Sequence, residues 1–158
     1  MTRRTERPVL LVASSGGHLL QLLSLEGAWS GLATIWVSND KEDARSLLAG
    51  ERAHFLPGPY SRNVRSLLAN LRLAVRLVWR ERPSTVLTTG ADIAVPFAWI
   101  GRLFGARVVY VESFTRIETV SLSCRMIKPV ANRVYVQWPE LLDALPDARF
   151  VGAVAVVE

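Results

Sequence analysis

Short, largely apolar runs recur along this chain, and a helical pattern follows each one. The runs are PVLLVA (8–13), ATIWVS (33–38), RAHFL (52–56), STVLTT (84–89), ARVVYVES (106–113), RVYVQ (133–137) and ARFVG (148–152). Helical patterns fill the gaps at 17–28, 39–50, 63–82, 92–105 and 119–131, with a short one in PELLDALP (139–146). A strand with one wet face alternates apolar and polar residues, whereas a strand buried on both faces is apolar throughout. Such strands alternating with helices specify an α/β fold, a parallel sheet with helices on both faces. Local signals set the boundaries. Asn39 or Asp40 is an N-cap and Gly50 a C-cap. Pro83 stops the long helix, Asp92 opens the next and Gly105 closes it, and Pro129 kinks the fifth helix or ends it early.

At 158 residues, half of them hydrophobic, the chain suits one domain with a sizeable core. Residues 1–7 read as a basic, flexible N-terminus without the apolar core of a secretory signal, and no run is long enough for a spanning helix. The single cysteine, Cys124, has no partner for an internal disulfide and reads as a small core residue, which fits the cytosol. His54 reads as structural within its strand, and Trp36, Trp79 and Trp99 as packing residues. The formal charge of +5, carried almost wholly by arginine, suits a phosphate-rich partner or an anionic membrane surface.

The first strand-to-helix turn holds Ser14, Ser15, Gly16, Gly17 and His18. In an open parallel sheet, ligands bind at the carboxyl ends of the strands, where helix N–H groups face outward. The turn can cradle an anion, and His18 can move a proton or donate to a phosphate. It matches neither the dinucleotide nor the Walker pattern, so a plain tight turn with a helix-start histidine remains the other reading. Three more strand ends are polar. TTGADIAVP offers Thr89 and Gly90, YVESFTR offers Glu112, Ser113 and Arg116, and VQWPE ends the sixth strand. In a parallel sheet all four reach one rim.

The helix over 63–82 is unusual. On its wheel Val64, Leu67, Leu68, Leu71, Ala74, Val75, Val78 and Trp79 share a broad apolar arc, and Arg62, Arg65, Arg72, Arg76 and Arg80 a narrow adjoining one. Leu73 and Leu77 lie just beyond the arginines. No acidic residue occurs between Arg52 and Arg80. An apolar face bordered by charge of one sign suits an anionic bilayer surface, and a core helix with a solvated arginine face is the competing reading. No nucleic-acid-reading motif accompanies the stripe. The sequence has no D-x-D pair, no zinc-type Cys/His cluster and no G-x-S-x-G elbow, so no metal or cofactor is expected.

In order, SSGGHLLQLLSL, TTGADIAVP and YVESFTRIETVSLSCRMIKPVANRVYVQWPELLDALPDARFVG resemble the asparagine-linked-glycosylation-fourteen-like family. The likeness runs from Val9 to Gly152. The Y-x-E-S and V-Q-W-P-E block is its specific part, and the Gly-Gly-His turn is shared with the lipid-II-forming transferase of peptidoglycan synthesis. At Cys124 the chain departs from the family's usual glycine. Members are acceptor-side, membrane-associated halves of split glycosyltransferases, bacterial ones serving capsule and exopolysaccharide assembly. The resemblance implies a Rossmann-like domain equivalent to the N-terminal half of a GT-B enzyme, with a second polypeptide supplying the UDP-sugar site. It implies a polyprenyl-pyrophosphate-linked acceptor at the cytoplasmic membrane surface, held peripherally by Arg62, Arg65, Arg72, Arg76 and Arg80. The acceptor's phosphates would meet Ser14, Ser15, Gly16, Gly17, Thr89, Gly90, Ser113 and Arg116. The base would be His18 first and Glu112 second. Two other classes stay open, a non-catalytic membrane scaffold for a transferase partner and a stand-alone nucleotide-binding enzyme.

Overall fold

A computed structural model describes residues 7–57 and 64–154, with backbone alone for 64–67. Seven strands form one sheet: β1 (Val9–Ala13), β2 (Thr34–Asn39), β3 (Ala53–Leu56), β4 (Thr85–Gly90), β5 (Arg107–Val111), β6 (Arg133–Val136) and β7 (Arg149–Phe150). Their order is β3-β2-β1-β4-β5-β6-β7. Every pairing is parallel. The helices are α1 (Gly17–Leu23), α2 (Glu42–Leu47), α3 (Val64–Glu81), α4 (Ala94–Leu103) and α5 (Leu122–Ile127).

The continuous apolar runs have the cause inferred from them. Leu10, Val12, Ile35, Val37, Val86 and Val108 point to one face, where they meet Leu77 and Val78 of α3, Phe97 of α4 and Ile127 of α5. Leu11, Trp36, Leu87 and Val111 point to the other, where they meet Leu19 and Leu22 of α1 and Ala44 of α2. Alternate residues of one strand thus enter two different cores. Gly101 lets α4 lie close on β4, since a Cβ there would fall 2.5 Å from Val86 Cγ2.

Several boundaries differ from the sequence reading. α1 stops at Leu23 because Ser24 Oγ bonds back to the Leu20 carbonyl at 2.9 Å and the chain tightens into a 3₁₀ turn at Glu26–Ala28. The residue capping α2 is Lys41. Asn39 still belongs to β2, and Asp40 is drawn into an ion pair with Arg45 at 2.5 Å. α5 starts later than the periodicity suggests, where Ser121 Oγ accepts from the Cys124 N–H at 3.1 Å, and Pro129 falls in the 3₁₀ turn that ends it. Trp36 is buried, but Trp79 and Trp99 are 59% and 47% exposed and are not core residues. Met1–Glu6 of the basic N-terminus lie outside the described residues. Arg7 is tied down, donating to the carbonyls of Arg82 at 2.7 Å and Pro83 at 3.0 Å.

The sheet grows outward from β1 to β3, then returns to place β4 on the other side of β1. The crevice between the carboxyl ends of β1 and β4 is therefore a topological switch point, where ligands of open α/β sheets bind.

Candidate functional site

Segments from three strand ends and from helices α4 and α5 surround an open cavity of about 540 Å³ at this switch point. His18 comes from the β1 end, Asp92 from the β4 end, Ser113 and Arg116 from the β5 end, and Leu122 and Met126 from α5. The β1 and β4 contributions are stitched together. His18 Nδ1 lies 2.9 Å from the Thr89 carbonyl, and Thr89 Oγ1 donates to the His18 carbonyl at 2.6 Å. A carbonyl only accepts, so Nδ1 is the nitrogen that carries the proton. The neutral ring's basic atom is then Nε2, which has no protein partner among the described residues. Thr89 and Gly90 are buried beneath the cavity rather than lining it. Gly90, at φ +106°, has no room for a side chain, because a Cβ would sit 2.7 Å from the Tyr110 hydroxyl.

Glu112, the second base suggested by the sequence, is fully buried and does not line the cavity. One carboxylate oxygen accepts from Tyr110 Oη at 3.1 Å and the Ser113 N–H at 2.9 Å. The other accepts from the Ser121 N–H at 3.0 Å and Ser121 Oγ at 2.9 Å. Four donors hold it in place, from Tyr110 behind the cavity and from Ser113 and Ser121 on its lining. The carboxylate thus ties the 113–121 loop to the end of β5 instead of facing the cavity. Burial, reinforced by the Glu112 charge, raises the pKa of the Tyr110 hydroxyl and pushes the Cys124 thiol up to about 12, so both stay protonated at neutral pH.

Gln21 completes this tie, and nothing in the sequence singled it out. Its buried side chain donates to the Glu112 carbonyl at 2.8 Å and accepts from the Phe114 N–H at 3.2 Å. The β6 end does not reach the cavity. Trp138 Nε1 donates to the Phe114 carbonyl at 2.5 Å, and Gln137 Oε1 accepts from the Val154 N–H at 2.7 Å.

The expected anion cradle is already occupied. Ser14, Ser15, Gly16 and Gly17 do not line the cavity. The Ser15 N–H donates to Asn39 Oδ1 at 3.2 Å, and the Gly16 N–H to the Asp43 carboxylate at 2.9 Å. A carboxylate of the chain itself stands where a phosphate was expected. The cation that faces the cavity is Arg116, which makes no ion pair among the described residues. It reaches only the Thr119 hydroxyl at 3.5 Å.

The arginine helix divides differently from its wheel. Ala74, Leu77 and Val78 form the buried stripe, whereas Leu68, Leu71, Val75 and Trp79 of the expected core arc are exposed. Arg72, Arg76 and Arg80 are exposed beside that row; Arg80 lies 3.4 Å from Glu81. Arg62 and the side chain of Arg65 lie outside the described residues. The Arg82 guanidinium stacks 4.3 Å from the Trp79 ring. Among the described residues, no helix is long and apolar enough to cross a membrane.

Residues 31–154 match the family model described as oligosaccharide biosynthesis protein Alg14 like. The chain belongs to this Alg14-like family. It is 30% identical to the rat UDP-N-acetylglucosamine transferase subunit ALG14 (Rattus norvegicus), over 98% of this chain and 86% of the relative. The human subunit of the same name (Homo sapiens) is 29% identical over the same shares. Among solved structures, MurG of Acinetobacter baumannii superposes with a TM-score of 0.70 at 18% identity, over 85% of this chain and 42% of MurG. The UDP-N-acetylglucosamine 2-epimerase of Rickettsia bellii gives 0.72 at 12% identity, over 94% and 45%. These likenesses are of fold, and the Alg14-like chain spans less than half of either solved chain. The lining of its cavity combines an imidazole, a guanidinium and several hydroxyls with the apolar side chains of Val95, Leu122 and Met126.

Proposed function

We propose that this chain is the acceptor-side half of a two-component glycosyltransferase that acts in polysaccharide biosynthesis. A partner subunit supplies the UDP-sugar site, with N-acetylglucosamine the sugar that the relatives' names favour. The acceptor is a saccharide on a polyprenyl pyrophosphate at the cytoplasmic face of the membrane, where the protein sits peripherally. Support comes from the family, from relatives named as subunits, and from a fold equivalent to under half of MurG. The N-terminal half of a GT-B enzyme is the part we assign to it.

The observation that carries the reading is the double hydrogen bond between His18 and Thr89. It fixes the ring with Nδ1 as donor and leaves Nε2 as the basic atom of a cavity residue. In transfer, the acceptor hydroxyl oxygen forms a bond to the anomeric carbon and the bond to the UDP oxygen breaks. UDP leaves with the electron pair, and the hydroxyl proton passes to Nε2. The acceptor's phosphates are assigned to Arg116 and Ser113. They are not assigned to Ser14–Gly17, where Asp43 already holds the Gly16 N–H.

His18→Ala, assayed with the partner subunit and saturating UDP-sugar, is expected to lower kcat roughly 10²- to 10⁴-fold with complex formation intact. Near-wild-type turnover would remove His18 from the chemistry and favour a scaffold.

A further inference from the structure

The cavity lining also includes apolar side chains that the transfer chemistry leaves unused, Val95 of α4 and Leu122 and Met126 of α5. Leu122 is 62% and Met126 47% exposed, a large apolar area left in water beside an ionic site. Trp99 extends this group. Its Nε1 donates to the Met126 carbonyl at 3.0 Å, which pins the half-exposed indole beside Met126. Val95 to Trp99 and Leu122 to Met126 are each one helical turn, about 5.4 Å. Each of the two helices therefore carries an apolar pair one turn apart, and the Trp99–Met126 hydrogen bond joins the pairs.

We infer that this ledge of Val95, Trp99, Leu122 and Met126 holds the first isoprenoid units of the acceptor's lipid tail. The inference rests on the acceptor reading above and adds the residues that recognise the tail. Arg116 lines the same cavity and makes no ion pair among the described residues, which suits an anionic headgroup. The opposing carboxylate, Asp92, spends one oxygen on its own helix start, where Oδ1 accepts the Ile93 N–H at 2.9 Å. The ledge suits a hydrocarbon better than a peptide. The Met126 carbonyl is already bonded by Trp99, and the four side chains offer no other hydrogen-bonding group to satisfy a backbone. An anion at one end of an apolar track matches a prenyl phosphate.

Isothermal titration of the full chain with inorganic pyrophosphate and with geranyl and farnesyl pyrophosphate, each below its micellar concentration, tests this without a bilayer. Affinity is expected to rise with tail length, farnesyl binding roughly tenfold or more tighter than bare pyrophosphate. In the Leu122→Gln, Met126→Gln double variant the farnesyl gain should fall to within about twofold of bare pyrophosphate. Leu47→Gln, on α2 at the other face of the sheet and away from the cavity, should keep the gain in full. All three positions are exposed, so a circular dichroism melt should match wild type. Absence of a gain in wild type, or its survival in the double variant, would overturn the ledge while leaving the headgroup site standing. Failure of wild type to bind any of the compounds would overturn the acceptor reading, and the ledge with it.

Discussion

At the scale of single residues, Glu112 decides how the site is built. It is a buried carboxylate without an ion pair among the described residues, held by four donors from Tyr110, Ser113 and Ser121. Hydrogen bonds to an ionised group are the strong ones, and a buried donor left unmatched costs about 1–3 kcal/mol. Glu112→Gln turns one acceptor oxygen into an NH₂ that must face donors. A loss of about 2–4 kcal/mol in urea unfolding is expected, because one pair of donors loses its acceptor. A residue serving only as a base would instead lose turnover with its unfolding midpoint unmoved. The sequence made Glu112 conspicuous but could not show its direction. An acid at a strand end reads the same whether it points into a cleft or under a loop. Gln21 was invisible for a related reason. A glutamine inside an amphipathic helix looks like a solvated position until the loop that it clamps folds over it. His18 was legible because a histidine at the first strand-to-helix turn of a parallel sheet is placed by topology alone.

Among the elements, α3 shows what a helical wheel can and cannot carry. Its apolar arc was visible, but it is wider than the core needs, and periodicity does not say which part is covered. The core takes Ala74, Leu77 and Val78 and leaves Leu68, Leu71, Val75 and Trp79 in water next to Arg72 and Arg76. An exposed apolar row beside arginines that make no ion pair among the described residues is the arrangement by which a helix lies on an anionic bilayer. Each basic residue near such a surface contributes about 1 kcal/mol. Replacing Arg72 and Arg76 together by Gln should lower partitioning onto vesicles containing acidic phospholipid by roughly thirtyfold at low salt, with a smaller effect at high salt. Trp79→Ser should weaken binding by a similar factor at both ionic strengths, since burial of apolar area is not screened. Unchanged co-sedimentation of both variants would leave α3 as a solvated core helix. The strands were legible for the opposite reason. A run apolar on both faces leaves no choice of side, so β1, β2, β4 and β5 fall within a residue or two of their sequence limits.

For the whole molecule, the order of strands matters more than any one of them. The return of the chain from β3 to β4 puts the β1 and β4 ends next to each other, and the cavity opens outward from that crevice. The open cavity holds an oriented imidazole, an arginine and apolar side chains. Nothing among the described residues stands opposite it. MurG, which shares this fold, is more than twice as long as the region it matches. A reaction between a nucleotide sugar and a membrane-bound hydroxyl needs both reactants held in one geometry, and most of the rate advantage comes from that alignment. On the proposed reading, this chain holds the acceptor and leaves the donor to its partner. The purified chain, given UDP-N-acetylglucosamine and a lipid-linked acceptor, is therefore expected to show no transfer above the uncatalysed background and no measurable affinity for the nucleotide sugar. Adding the partner subunit should restore both together, at a stoichiometric ratio seen in the titration. Tight binding of UDP-sugar by the isolated chain would instead make it a self-sufficient nucleotide-binding enzyme, with the donor occupying the space that the ledge and Arg116 are here assigned to share.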